Sequence, residues 1–417
     1  MAPFAGDDEE EEEEVPEELE AGEQVFDLCF HPTADVLACG LVTGSVELWR
    51  YGVGAGANSL LMKVKHSSSS SCRGVQFSPD GTLLYTAGSD RRLRVFDSSG
   101  AKVKTYEEAH SDSINRMLLL SEHLLATGDD SGEVKVWDTR TDEGQVLSWH
   151  VHEDFVSGLA VSDSRPGALL SCSGDATLGV YDLRAPATTA RSDDQEAELQ
   201  CLTVIKNGHK VLAGTPEGVV LVFTWDRWGD CSDRYPGHPE SIDCLHKLDE
   251  STVLTGSSDG LIRCVALQPN KMLGIIGDHD EFPVEQMRAD RSGRLLGTAS
   301  HDSLVRFWDL SMFADDEGGE GQGEGQGEGQ GEGQGEGEGA MADGAEGEGD
   351  GEGEGAGEDE EGEGEDAEMD EEEGGDSTPF DSGSDDDDDD SDSDSGGAAG
   401  GGRPRLKTAA EKFYSGL

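Results

Sequence analysis

The sequence predicts an all-β chain: a seven-bladed β-propeller set between disordered acidic N- and C-terminal segments. Three observations carry that expectation. Seven alternating segments each close on a large apolar residue, at Trp49, Phe96, Trp137, Tyr181, Phe223, Val265 and Trp308. These anchors lie 47, 41, 44, 42, 42 and 43 residues apart, a spacing of one four-stranded blade per repeat. Every repeat alternates with period two and none sustains a 3.6-residue period, which excludes helical solenoids.

Composition sets the boundaries. Residues 1–24 hold 12 acidic side chains and no Lys or Arg, and residues 314–400 hold 37 acidic side chains and again no Lys or Arg. Neither stretch has the apolar content to offset the entropy of ordering its backbone. The expected organisation is therefore an acidic segment at 1–24, the propeller at 25–313, a Gly/Glu/Asp-rich tail at 314–402 and a basic, aromatic stub at 403–417.

Within a repeat the elements recur in order. A first strand (VFDLCF, GVQFS, INRMLLL, VSGLAVS, LTVIK, IDCLHKL, VEQMRAD) leads through a turn to a second (VLACG, LLYTAGS, LLATGD, ALLSCSG, VLAG, TVLTGSS, LLGTAS). A tight turn then precedes the anchor strand. Asp90, Asp175, Asp259 and Asp302 each stand six residues before their anchor, where a turn needs a side chain that bonds its own backbone or tolerates positive φ. His110, His152, His238 and His279 open four of the repeats. An open propeller would expose unpaired strand edges, and after Leu310 the chain offers no strand. The missing outer strand of the last blade is therefore expected from residues 15–24.

Several patterns mimic chemistry. GSSDG (256–260) matches G-x-S-x-G but falls in the turn between two blade strands, not in a strand–turn–helix elbow. GVGAGA (52–57) follows a strand but opens no helix, so it reads as a connection between blades one and two rather than a dinucleotide loop. His150, His152 and Asp154 are close in sequence, yet His152 belongs to the repeat pattern and no Cys or carboxylate cluster accompanies them. No catalytic residue, cofactor or metal is expected. The eight cysteines include no C-x-x-C pair and sit in strand-like runs, the pattern of free buried thiols in a reducing compartment. The acidic N-terminal segment is unlike a signal or transit peptide, and no apolar run approaches the roughly 18 residues of a membrane span.

Charge bears on partners. Of the formal net charge of −61, the 26 basic and 41 acidic residues of 25–313 account for −15, so most acidity lies in the tails. Such a field repels phosphate backbones and favours basic proteins, and no direct nucleic-acid site or membrane contact is evident. The tails serve equally well as solvating spacers. Ser382, Ser384, Ser391 and Ser393 lie in a DSGSDDDDDDSDSDS run that suits acidophilic phosphorylation. The closing RPRLKTAAEKFYSGL has the character of a short linear motif.

The boxes GHPESI (237–242), WDTR (137–140), YDLR (181–184) and WDL (308–310) resemble the WD-repeat family. That resemblance implies a buried network of His, turn Asp, Ser or Thr, and Trp in each blade. Repeats one and five, with Thr43 and Glu217 at the Asp position, have lost most of it and are expected to be softer. The tandem W-D-x-R boxes, Trp137-Asp138-x-Arg140 and Tyr181-Asp182-x-Arg184, resemble those of substrate receptors that dock on the adaptor of cullin–RING ubiquitin ligases. The other reading is that Arg140 and Arg184 bridge neighbouring strands. Segments FDLCFHP (26–32), LLATGDDSGEVKVWD (124–138), SGDATLGVYDL (173–183), LTGSSDGLIR (254–263) and SHDSLVRFWDL (300–310) together resemble the WD repeat-containing protein 55 family. The closing Phe413 to Leu417 is similar to that family's aromatic stub. What this implies is a non-enzymatic scaffold of the nucleus and nucleolus that supports ribosomal RNA production and ribosome biogenesis. Its partners would be ribosome-assembly factors or basic ribosomal proteins. The long insert at 314–400 departs from the family pattern.

Overall fold

The computed structural model describes residues 15–187 and 189–313. A two-residue strand, β1 (Leu19–Glu20), precedes the repeats. Blade one is β2 (Val25–Phe30), β3 (Val36–Leu41), β4 (Ser45–Arg50) and β5 (Ser59–Lys65). Blade two is β6 (Cys72–Phe77), β7 (Leu83–Gly88), β8 (Leu93–Asp97) and β9 (Lys102–Tyr106). Blade three is β10 (Ile114–Ser121), β11 (Leu124–Asp129), β12 (Glu133–Asp138) and β13 (Gln145–His150). Blade four is β14 (Val156–Val161), β15 (Ala168–Ser173), β16 (Leu178–Asp182) and β17 (Thr189–Arg191). Blade five is β18 (Cys201–Ile205), β19 (Lys210–Gly214), β20 (Val219–Thr224) and β21 (Asp233–Pro236). Blade six is β22 (Ile242–Lys247), β23 (Thr252–Ser257), β24 (Leu261–Ala266) and β25 (Lys271–Asp278). Blade seven is β26 (Val284–Ala289), β27 (Leu295–Ser300) and β28 (Leu304–Asp309), with β1 as its outer strand.

Each blade is an antiparallel meander from an inner strand a to an outer strand d. The a strands pack side by side around the centre, and β26 returns to β2, so the ring closes. Closure is made by the earliest described residues: Leu19 pairs with Val305 and Glu20 with Leu304. Leu19 is fully buried, and Ala21 donates its N–H to the carbonyl of Ser303 at 3.0 Å. This removes the free edge that β28 would otherwise present.

Alternation explains the core. Side chains from strands b and c of one blade interleave with those of the next, as where Trp137 and Leu125 meet Tyr85 and Val95. Burying one such large apolar side chain stabilises the fold by about 1.5–3 kcal/mol. The meander also sorts the turns. The b–c and d–a turns lie on one face, and the a–b and c–d turns on the other. The first face is built around turn glycines such as Gly44, at φ 73°, where a Cβ would come 2.1 Å from the Ser70 carbonyl. Its carbonyl accepts the N–H of His66 at 2.9 Å, which ties blade one to the start of blade two.

One expected connection is corrected. GVGAGA (52–57) joins β4 to β5 inside blade one, because the strand that follows it is that blade's outer strand and not the first of the next. All eight cysteines are free thiols, and all but Cys231 are buried. Among the described residues no helix is long and apolar enough to cross a membrane.

Candidate functional site

On the b–c face five of the seven d–a loops carry a histidine, His66, His110, His152, His238 or His279, that reaches into the next blade. In blade seven the Trp308 indole N–H donates to Thr298 Oγ1 at 2.8 Å, and His279 Nε2 lies 2.7 Å from the same oxygen. His279 Nδ1 lies 3.0 Å from Asp302 Oδ2. A proton on Nδ1 satisfies every member in one direction, from Trp308 to Thr298 to His279 to Asp302. Blade three sets Trp137, Thr127, His110 and Asp129 in the same order, with 2.7 and 2.6 Å hydrogen bonds at Thr127 and a 3.0 Å ion-pair approach of His110 Nδ1 to Asp129. Blade four substitutes Tyr181 and Ser171 and keeps the His152–Asp175 contact at 3.2 Å.

Sequence reading missed His66. It lies 2.7 Å from Thr86 Oγ1 and 3.1 Å from Asp90, and Arg94 completes the cluster at 2.7 Å from Asp90. Burial opposes ionisation of Asp90, but His66 and Arg94 hold its carboxyl down at about 2. Burial likewise opposes ionisation of Asp129, but the adjacent His110 imidazole and the Glu133 N–H hold its carboxyl down at about 2. In blade six Arg263 takes both oxygens of Asp259, and His238 Nδ1 has no hydrogen-bond partner among the described residues. Burial, then Arg263, push His238 down to about 4.

These networks are structural. The serine of the GSSDG pattern, Ser258, donates to Asp243 at 2.7 Å and sits in the turn between β23 and β24. His150 is exposed at the end of β13, while His152 is spent within its own blade. His110, Asp129 and Glu133 cluster closely enough to hold a cation. The Lys135 ammonium, however, already lies 3.1 Å from Glu133 and donates to the Ala109 carbonyl, so the positive charge there is supplied in place.

The a–b/c–d face carries the W-D-x-R boxes, and the two arginines differ. Arg140 closes a fork on Asp138, with Nε and Nη2 at 2.9 and 2.7 Å from its two oxygens, and is still 58% exposed. Arg184, 59% exposed, has only a 3.6 Å approach from Nε to Asp182, whose Oδ1 instead accepts the Arg184 backbone N–H at 2.8 Å. Beside Arg184 a cleft of about 480 Å³ opens between blades four and five. Arg165, Trp225 and Trp228 line it, and no motif pointed to them. Ser382, Ser384, Ser391 and Ser393 lie outside the described residues, as does the basic stub at 403–417.

Comparison with known proteins follows the same boundaries. A family model described as WDR55 matches residues 16–313. The chain is 38% identical to WD repeat-containing protein JIP5 of Coprinopsis cinerea over 71% of this chain and 74% of that one. It is 36% identical to WD repeat-containing protein 55 of Homo sapiens, over 72% of this chain and 78% of the relative. The figure for the Arabidopsis thaliana protein of that name is 37%, over 70% and 82%. A chain in the crystal structure of the mitotic checkpoint complex superposes with a TM-score of 0.61 at 19% identity, covering 74% of this chain and 96% of that one, a likeness of fold alone.

Proposed function

Because the chain belongs to the WDR55 family, we propose that it is a non-enzymatic protein-binding scaffold of the nucleus and nucleolus that supports ribosomal RNA production and ribosome biogenesis. The observation that carries this reading is the unbroken family match across all seven blades, residues 16–313. Charge supports the partner class: a net −61, concentrated outside the propeller, attracts basic proteins such as ribosomal proteins and repels free nucleic acid. Localisation follows from the same reading and is tested with it. Depletion should raise ribosomal RNA precursors, and affinity purification should return assembly factors or ribosomal proteins. Normal precursors together with a purification free of such proteins would overturn it.

A second reading, a substrate receptor for a cullin–RING ligase, is favoured by the exposed arginines of the two W-D-x-R boxes. Reversing Arg140 and Arg184 to Glu should then abolish co-precipitation of the ligase adaptor. Unchanged co-precipitation removes this reading and leaves the scaffold reading standing.

A further inference from the structure

We propose that the cleft between blades four and five binds an extended acidic segment of a partner protein, seating one large apolar side chain between two arginines. The observation is an uneven distribution of satisfied guanidinium groups. Among the described residues six arginines make no side-chain hydrogen bond: Arg92 forms an ion pair with Glu107 instead, and the other five are Arg50, Arg165, Arg184, Arg227 and Arg294. All five stand at the ends or in the turns of strands on the a–b/c–d face. Around the b–c face the arginines are engaged, as Arg94 is with Asp90, Arg263 with Asp259 and Arg306 with Asp280.

Two of the five, Arg165 and Arg184, line this one cleft, and both are held in place for a ligand. Arg165 lies over the Trp225 ring, 5.0 Å from its centroid, and Trp228 meets Trp225 edge-on at 5.0 Å. Stacking fixes the plane of a guanidinium while leaving its in-plane N–H donors free. Arg184 crosses above Gly167, which has φ 87°, and a Cβ on that residue would come within 2.8 Å of Nε. Glycine there makes room for the arginine to flank the cleft. Asp182 is committed to its own turn, and Asp226 is exposed at the rim.

The cleft volume falls in the range that takes a side chain with its flanking backbone. Its walls are half apolar and aromatic, and its free donors match the two oxygens of a carboxylate. That combination selects an apolar residue flanked by Asp or Glu. A nucleic-acid strand is disfavoured, because the arginines form one pocket rather than a stripe along which a phosphate backbone could lie.

The test uses the full chain and a fluorescein-labelled peptide with one Phe between two pairs of acidic residues, followed by fluorescence anisotropy. Saturable binding is expected, weakened about tenfold or more by Arg184→Glu or Arg165→Glu and by replacing the peptide Phe with Ala. Binding should also fall when salt is raised to about 0.5 M. Arg140→Glu, outside the cleft, should leave binding unchanged. Thr189→Trp fills the cleft from an exposed position and should abolish binding without lowering the melting temperature. The proposal is overturned by absence of saturable binding, by equal binding of a peptide with Lys in place of the acids, or by a single-stranded RNA that displaces the peptide from the Arg184 site. Loss with Arg140→Glu equal to that with Arg184→Glu would also overturn it. None of these outcomes bears on ribosomal RNA precursors.

Discussion

Glu47 accepts the indole N–H of Trp49 at 3.1 Å from two residues earlier on the same strand. The carboxylate is 2% exposed and also receives the Gly22 N–H at 3.3 Å and the Lys63 ammonium at 2.7 Å. Blade one thus replaces the lost His–Asp network with a hub that grips the closing segment. Glu47→Ala leaves those donors without their acceptor and should cost about 2 kcal/mol or more. For a domain of this size that is a fall of about 4–8 °C in melting temperature by scanning calorimetry. Deleting residues 1–24 should lower the melting temperature more, whereas deleting 1–14 should not, because Pro16, Leu19 and Ala21 are the buried residues of the described part of the segment. Equal effects of the two deletions would contradict the closure.

The directional chain in blade seven makes Thr298 its pivot, since Trp308 and His279 both bond its hydroxyl. Thr298→Val keeps the shape and strands a part-buried indole N–H and a buried imidazole. The expected cost is about 2–4 kcal/mol in urea unfolding, at roughly 1–3 kcal/mol per orphaned group. Thr298→Ser keeps the hydroxyl and should cost under about 1.5 kcal/mol, the loss of one methyl group. A Val variant as stable as the Ser variant would show that the network contributes nothing.

Blade five has no such hub. Ala213 stands in β19 where β27 has Thr298, and Phe223 brings no hydrogen-bond donor. Local opening follows the lowest local stability, so backbone hydrogen exchange in β19 and β20 should be faster than in β11 and β12. Repeat one, expected to be equally soft, should be protected by Glu47. Faster exchange in β3 and β4 than in β19 and β20 would refute this ordering.

How much of this was readable in the sequence depended on whether contacts are local. The register from Trp49 to Trp308 fixes seven blades because alternation is a property of each strand alone. Leu19–Glu20 is too short to alternate, and only the need to close the ring pointed to it. His66 was hidden because a bare run of five serines leads from it to β6, whereas an acidic residue follows His110, His152, His238 and His279 within two positions. The cleft was out of reach: Arg165 and Trp225 come from turns 60 residues apart in different blades and meet only after the ring closes. Arg140 and Arg184 look equivalent as sequence, and only side-chain geometry separates the clamped one from the free one.

Buried histidines make the propeller acid-labile. Burial holds His66 and His279 below their ordinary value of 6.5, and His238 at about 4. A histidine whose folded value is depressed contributes stability above 6.5 that is lost as pH falls toward the folded value, because protons then favour the unfolded chain. The melting temperature should be flat above about pH 6.5 and fall between 6.5 and 4. His238 alone accounts for at most about 3 kcal/mol of that loss. His238→Gln should shrink the fall within this window. Below 3.8, Asp90 and Asp129 add to the loss, since their values lie near 2. A melting temperature that rises on acidification from 6.5 to 4 would refute the assignment.

Asp27 works in the opposite sense. It is 4% exposed on β2, its Oδ2 accepts the Val75 N–H from blade two at 2.9 Å, and its Oδ1 has no hydrogen-bond partner among the described residues. Arg288 of blade seven stands 3.6 Å away, so this carboxylate joins three blades at the centre. Desolvation raises its pKa, and the Arg288 charge and the Val75 N–H only partly oppose that. A raised carboxyl contributes stability below its ordinary 3.8 that is gone once pH rises through the folded value. At pH 7 the ionised group is therefore a net cost. Asp27→Asn keeps an acceptor for Val75 and removes the buried charge, so it should leave stability unchanged or raise it by about 1 kcal/mol at pH 7. Asp27→Ala strands the Val75 N–H and should cost about 1–3 kcal/mol. If Asn destabilises as much as Ala in urea unfolding, the carboxylate charge is holding the three blades together and the argument from desolvation fails.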